Sequence, residues 1–289
     1  MALEKYPKST VVKNVSALSA ILLKALDLRR LTAAQSEVEF TPTQLDQFES
    51  TVNDCALKMI YKLNDATFRP IFSQLVDWSF QLSKQDAAGK TMRQLSLYGF
   101  FNTFFGNLKS IVTSYASYIS EQAAKMLVKA DLKDAAEKEL WKRILHTLAQ
   151  CFEHDQDEFW QAPAHFSAVA PVLVEQFQRA GTIDVTEELV PAVVELGAAA
   201  YSKEHHKELN GSLLKLLRSE QAAVRLGVVM CQQALTDRLG QEWLANLPEM
   251  LPYISELQDD DDETVERENR RWIVKIEQAL GESLDSMLQ

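Results

Sequence analysis

Apolar residues recur along this chain at intervals of three and four almost without a break. Val11, Val15, Leu18, Leu22 and Leu26 draw one stripe. Phe48, Val52, Cys55, Met59 and Leu63 draw a second, and Phe68, Ile71, Leu75, Trp78 and Leu82 a third. Such spacing places the side chains on one face of an α-helix, which a neighbour must cover. No segment alternates at a period of two. Asn210-Gly211 has hairpin character, but it sits between helical patterns and is expected to end or kink a helix. Gly and Pro number only 9 and 8, about half the usual share, which excludes a turn-rich β fold. Hydrophobic residues at 46 % exclude a disordered chain.

Local signals place the helix starts. In Phe40-Thr41-Pro42-Thr43-Gln44-Leu45, Thr41 caps, Pro42 suits the first helical position and Gln44 completes a capping box. Phe40 and Leu45 are placed to close a hydrophobic staple. Asp65 is expected to cap a helix beginning near Ala66, and Asp184 with Glu187 to cap another. Loops are expected near 31–41, 64–66, 84–90, 130–136, 155–163, 181–185, 218–222, 239–243 and 258–264.

The second half repeats. Leu213, Leu214, Leu216 and Leu217 close one helix, and Arg218 to Gln221 form a turn. Val224, Val228, Cys231 and Leu235 then stripe the next helix. The unit recurs with Pro248, Leu251, Pro252, Ile254 and Leu257, an Asp259–Asp262 turn, and a stripe of Val265, Asn269, Trp272, Ile276 and Leu280. Val224 and Val265 stand in corresponding places, within the period of roughly 40–47 residues of HEAT and armadillo units. Val224-Arg225 opening the second helix is HEAT-like; Glu266 stands where the next unit would carry arginine. A less regular unit covers 164–201, with Pro171 and Pro191 inside it. The fold class is therefore all-α: an α-solenoid of HEAT-like antiparallel helix pairs, whose long faces suit binding more than catalysis.

The formal charge of −11 argues against a simple basic nucleic-acid binder. Residues 1–145 hold 19 Lys/Arg and 15 Asp/Glu, whereas residues 146–289 hold 11 and 26. This asymmetry points to two surfaces with different partners, and to RNA affinity that is low and salt-sensitive. Cys55, Cys151 and Cys231 are odd in number and far apart, which fits a reducing compartment rather than a disulfide framework. No apolar run is long enough for a membrane span. Glu4, Lys5 and Lys8 interrupt any secretory pattern.

Chemical motifs are fragmentary. Gly89-Lys90-Thr91 resembles the end of a phosphate loop, but Lys84 occupies the position of the required first glycine. Asp259, Asp260, Asp261 and Asp262 lack the Gly and Glu of a calcium loop, since Thr264 and Arg270 stand in those places. They read as a solvated turn or an acidic docking surface. His205 and His206 are neighbours and do not share a helical face. Cys151 and His154 lack a second ligand pair for zinc, so Cys151 reads as core and His154 as surface. No catalytic, metal or cofactor site is expected. Tyr98, Phe100, Phe101, Phe104 and Phe105 read as core rather than a base-stacking platform. Lys58, Lys62 and Arg69 could form one small basic face, and Lys138, Lys142 and Arg143 another. Solvated helix faces have the same pattern.

Asn64-Asp65-Ala66-Thr67-Phe68-Arg69-Pro70-Ile71-Phe72 followed by Asp77-Trp78 resembles the signature of one family. That family is the C-terminal domain of the large HEAT-repeat protein of the small-subunit processome. Leu108-Lys109-Ser110-Ile111-Val112 with Tyr115 resembles a second block. Leu247-Pro248-Glu249, Pro252 and Leu280-Gly281-Glu282-Ser283-Leu284 resemble the closing repeat. The resemblance implies a C-terminal fragment of a longer, non-enzymatic nucleolar scaffold. It further implies other processome subunits as partners, including WD-repeat proteins, with pre-rRNA engaged through the full-length protein or the complex. Small-subunit pre-rRNA processing and a link to rDNA transcription are the implied roles. Phe68, Arg69, Pro70, Asp77 and Trp78 carry over as signature positions, with Arg69 expected to bind a partner or cap a helix. On this reading residues 1–40 are a leading helix and loop, 41–160 carry the signature, and 161–289 are HEAT-like repeats continuous with them. Architecture alone also admits a HEAT-repeat adaptor in nuclear transport or phosphatase assembly.

Overall fold

The structure, a computed structural model, describes residues 2–34, 40–82, 86–111, 113–284 and 287–288. Lys84, Val112 and part of the expected 31–41 loop lie outside the described residues. All regular elements among the described residues are helical. The first six are α1 (Ala2–Lys5), α2 (Lys8–Lys13), α3 (Val15–Leu26), α4 (Leu28–Ala33), α5 (Pro42–Ile60) and α6 (Asp65–Phe80). Next come α7 (Ala87–Asn107), α8 (Thr113–Lys129), α9 (Ala135–Glu153), α10 (Pro163–Gln176) and α11 (Leu189–Ala199). The last five are α12 (Lys203–Leu216), α13 (Ala222–Leu239), α14 (Gln241–Leu244), α15 (Leu247–Glu256) and α16 (Glu263–Leu280).

The chain divides into two compact units. One comprises residues 1–109 and 134–147, the other 110–133 and 148–289. The expected boundaries after residues 40 and 160 do not coincide with these edges. Residues 1–34 are built into the first unit rather than leading up to it, and α9 contributes to both units.

In the first unit the aromatic cluster is core, as expected. Phe100, Phe101, Phe104 and Phe105 are fully buried. The Phe72 and Phe101 rings stack at 5.1 Å, and Tyr98 meets Phe101 edge-on at 5.4 Å. The α6 stripe is buried at Phe68, Ile71, Leu75 and Trp78. The Thr41 capping box forms on α5, with Gln44 N–H donating to Thr41 Oγ1 at 3.2 Å and Thr41 N–H donating to Gln44 Oε1 at 2.9 Å. Phe40 nevertheless remains 44 % exposed. On α6 the cap is Asn64, one residue before the expected Asp65. Its Oδ1 accepts from Thr67 N–H at 2.9 Å, which makes Asp65 the first helical residue.

The phase of α5 departs from the sequence reading. Phe48 and Cys55 face solvent, while Glu49, Asn53, Ala56 and Ile60 turn inward with Met59. The cause is Arg29 on α4. Its Nε donates to Glu49 Oε1 and its Nη2 to Glu49 Oε2, both at 2.8 Å, and Nη2 also reaches Asp46 Oδ1 at 2.6 Å. Ser96 Oγ donates to Glu49 Oε1 at 2.5 Å. A buried carboxylate is tolerated only with such partners.

In the second unit the pairs α10–α11, α12–α13 and α15–α16 stack in two layers. The first helices α10, α12 and α15 contact one another in sequence, as do the second helices α11, α13 and α16. The Val224, Val228, Cys231 and Leu235 stripe is buried, as are Val265, Asn269, Trp272 and Ile276. Gln233 Nε2 donates to the Glu268 carbonyl at 3.0 Å, and Trp272 Nε1 donates to Thr236 Oγ1 at 3.2 Å. These near-constant offsets show that α13 and α16 run side by side in the same direction. α12 runs on through Asn210-Gly211 to Leu216. Asn210 Oδ1 accepts from Gln232 Nε2 at 3.0 Å, and Gln232 Oε1 accepts from Trp243 Nε1 at 2.9 Å. Asp184 caps no helix; its Oδ1 accepts from Thr186 N–H at 2.8 Å, and α11 starts only at Leu189. Gly240 and Gly281 end α13 and α16 at φ values of 57° and 79°, which side chains disfavour.

Candidate interaction surfaces

Lys58, Lys62 and Arg69 do not form a free basic face. Lys58 Nζ pairs with Glu4 Oε1 at 2.8 Å. Lys62 Nζ donates to the carbonyls of Glu4 and Tyr6 at 3.0 and 2.5 Å. Together they hold the first turns of the chain against α5. Arg69 lies along its own helix, with Nη2 on Asp65 Oδ2 at 2.8 Å.

The second expected face is also divided. Lys138 and Lys142 are half-buried. Arg143 turns inward and keeps 14 % of its side chain exposed. Its Nη2 donates to Asp46 Oδ1 at 2.9 Å, its Nε to Glu139 Oε1 at 2.8 Å and its Nη1 to the Leu95 carbonyl at 3.0 Å. Arg143 thus closes the cluster of Arg29, Glu49 and Asp46. Burial acts to raise the Asp46 carboxyl, but the two guanidiniums outweigh it and hold its pKa below the ordinary value.

The four aspartates separate by role. Asp260 pairs with Arg225 through two hydrogen bonds of 2.7 and 2.6 Å, its side chain 6 % exposed. Asp262 caps α16, accepting from Thr264 and Val265 N–H at 2.9 and 3.2 Å. Asp259 and Asp261 remain exposed.

No group of three metal-ligating residues converges among the described residues. His205 and His206 are buried, and their Nε2–H groups donate to the carbonyls of Gln161 and Gly197 at 2.9 and 2.8 Å. Burial pushes the Cys151 and Cys231 thiols well above their ordinary pKa, the opposite of nucleophile activation. His154, expected at the surface, keeps only 10 % of its side chain exposed.

Three surfaces escaped the sequence reading. In the first unit, Leu18, Ile21, Leu22, Val52 and Cys55 line an apolar groove of 240 Å³ between α3 and α5. Ile21 there is 63 % exposed. In the second unit, Arg267, Arg270, Arg271, Val274 and Lys275 share the outer face of α16. These cations have carboxylate neighbours, among them Glu268 at 2.7 Å from Arg271 Nη1. A third groove, of 390 Å³, runs between the loop after α10 and the first turns of α13 and α16. The available signal was the phase of each helix, which pattern alone sets to within a residue or two.

Residues 10–160 match the BP28CT (NUC211) domain. A U3 small nucleolar RNA-associated protein 10 of Chaetomium globosum is 67 % identical over 291 residues, covering 100 % of this chain and 17 % of its own length. The Neurospora crassa protein of the same name is 62 % identical, covering 100 % of this chain and 16 % of its own length. A designed armadillo repeat protein aligns with 87 % of this chain and 99 % of its own at 17 % identity and a TM-score of 0.44. The chain spans about a sixth of the length of these curated relatives. Its match over more than half its residues places it in the BP28CT (NUC211) domain family.

Proposed function

We propose that this chain is a non-catalytic scaffold segment of a ribosome biogenesis factor, working within the nucleolar small-subunit processome. The observation that supports it most is identity of 67 % and 62 %, across the whole chain, to proteins named for association with U3 small nucleolar RNA. The second unit adds a physical reason: stacked helix pairs present long faces to partners. The reading extends to the processing of small-subunit pre-rRNA, a link to rDNA transcription, and contacts with other processome subunits, WD-repeat proteins among them. Pre-rRNA is met mainly through the assembly, because the second half of the chain is strongly acidic.

The test is deletion of the matching segment from the Neurospora crassa relative in vivo. U3 RNA recovered with the tagged protein should fall, and small-subunit rRNA should drop relative to large-subunit rRNA. Unchanged U3 recovery and unchanged rRNA ratio would sink the proposal.

A further inference from the structure

The inter-helix turns at one edge of the second unit converge on the third groove. Its floor is apolar, formed by Ile183 and Val185 of the loop and by Ala223, Leu226 and Met230 of α13. Gly227 is required beneath them, because a Cβ there would stand 2.7 Å from Val185 Cγ2. Asp184 and Glu268 line the groove, and no Lys or Arg does so among the described residues. Glu268 is already engaged by Gln233, Arg271 and Arg267, so it fixes the wall rather than the charge of the groove. The turns that lead into the two helices are themselves acidic. Glu220 stands two residues before α13, and Asp261 and Glu263 lie on either side of the Asp262 cap of α16, whose Thr264 lines the groove. Asp261 and Glu263 are both exposed.

We propose that this groove docks a basic segment of a partner protein, with an apolar side chain on the floor and flanking Lys or Arg side chains against the acidic rim. Shape supplies the anchor and charge selects the occupant. Residues 146–289 carry 26 acidic against 11 basic residues, so long-range attraction also favours a cationic partner. The same rim repels phosphodiesters, which makes RNA the disfavoured ligand. The inference rests on the scaffold reading, to which it adds one docking site and the chemistry of its partner.

The experiment measures anisotropy of a labelled peptide, lysines and arginines flanking a central leucine pair, titrated with the whole chain at physiological salt. The chain should bind this peptide at least tenfold more tightly than a version with serines in place of the leucines. Ala223→Trp fills the groove without changing charge, and Asp261→Lys with Glu263→Lys reverses the rim; each should weaken binding at least tenfold. Should Ala223→Trp fail to melt like the parent, Met230→Gln takes its place and should weaken binding in the same direction. Equal affinity of a correctly folded groove variant, no peptide binding, or preference for a uridine oligonucleotide would overturn the proposal. Those outcomes leave the U3 recovery test unaffected, so the two readings fail separately.

Discussion

Arg225 on α13 holds Asp260 of the next helix pair with two hydrogen bonds, Nε to Oδ2 at 2.7 Å and Nη2 to Oδ1 at 2.6 Å. Its Nη1 also donates to the Ser219 carbonyl at 2.8 Å. One side chain thus fastens its own turn to the turn of the following pair. Both partners are largely withdrawn from solvent. Arg225→Ala leaves the Asp260 carboxylate unpaired, and a loss of about 3 kcal/mol is expected. Chemical denaturation of the variant against the parent measures it; a change within error would show that the pair contributes nothing net.

Acid should weaken both units. Burial tends to raise the carboxyls of Asp27, Asp46 and Asp260, but guanidinium hydrogen bonds hold each below its ordinary value. In the unfolded chain these groups titrate at about 3.9. The unfolded state therefore takes up protons first as pH falls. The contribution is complete above about pH 5 and is lost as pH falls through the folded-state values. Melting temperature should decline through this range, and less steeply for Asp260→Asn. Parallel curves for the two proteins would contradict the assignment.

Glu49 anchors α4 to α5. Glu49→Ala removes the carboxylate shared by Arg29, Arg143 and Ser96. A loss of about 3–5 kcal/mol is expected, as when one partner of a buried pair is removed. Amide hydrogen exchange should accelerate first in residues 28–33, because Arg29 is their tie to α5. Uniform acceleration across the chain would argue against a local role.

This cluster also shows what the sequence reveals and what it hides. The capping box at Thr41 is local, its partners three residues apart, and it was readable in full. So are the stripes of α6, α13 and α16, buried at Phe68, Ile71, Leu75 and Trp78, at Val224, Val228, Cys231 and Leu235, and at Val265, Trp272 and Ile276. On α5 the pattern misleads, because periodicity assigns Phe48 inward and Glu49 outward. Arg29, twenty residues away, reverses that assignment. Arg143 was hidden for the same reason: a basic residue on a helix reads as a solvated face until its carboxylates are known. Asn64 and Asp65 are both good caps, and only the fold chooses between them. Grooves depend on which helices meet, which no single stripe records.

Trp78→Ala tests the signature segment. Trp78 is 8 % exposed, and the Arg93 guanidinium sits 4.9 Å from its ring centre while donating to its carbonyl at 3.1 Å. Truncation should cost about 3–5 kcal/mol. An unchanged melting temperature would show that this ring is dispensable to the core.

Gly227→Ala should destabilise the second unit by about 1–3 kcal/mol through overpacking. The new Cβ would lie 2.7 Å from Val185 Cγ2 and 3.3 Å from Phe177 Cδ1. Val185→Ala in the same chain should restore part of the loss, a coupling that a double-mutant cycle reads directly.

Residue-level crosslinking of the intact U3-containing particle bears most directly on the scaffold assignment. The expected result is a majority of crosslinks from this segment to other proteins, with those around Asp184, Asp261 and Glu263 reaching lysine- or arginine-rich stretches. A segment that crosslinks chiefly to RNA, or that is absent from the particle, would contradict the account.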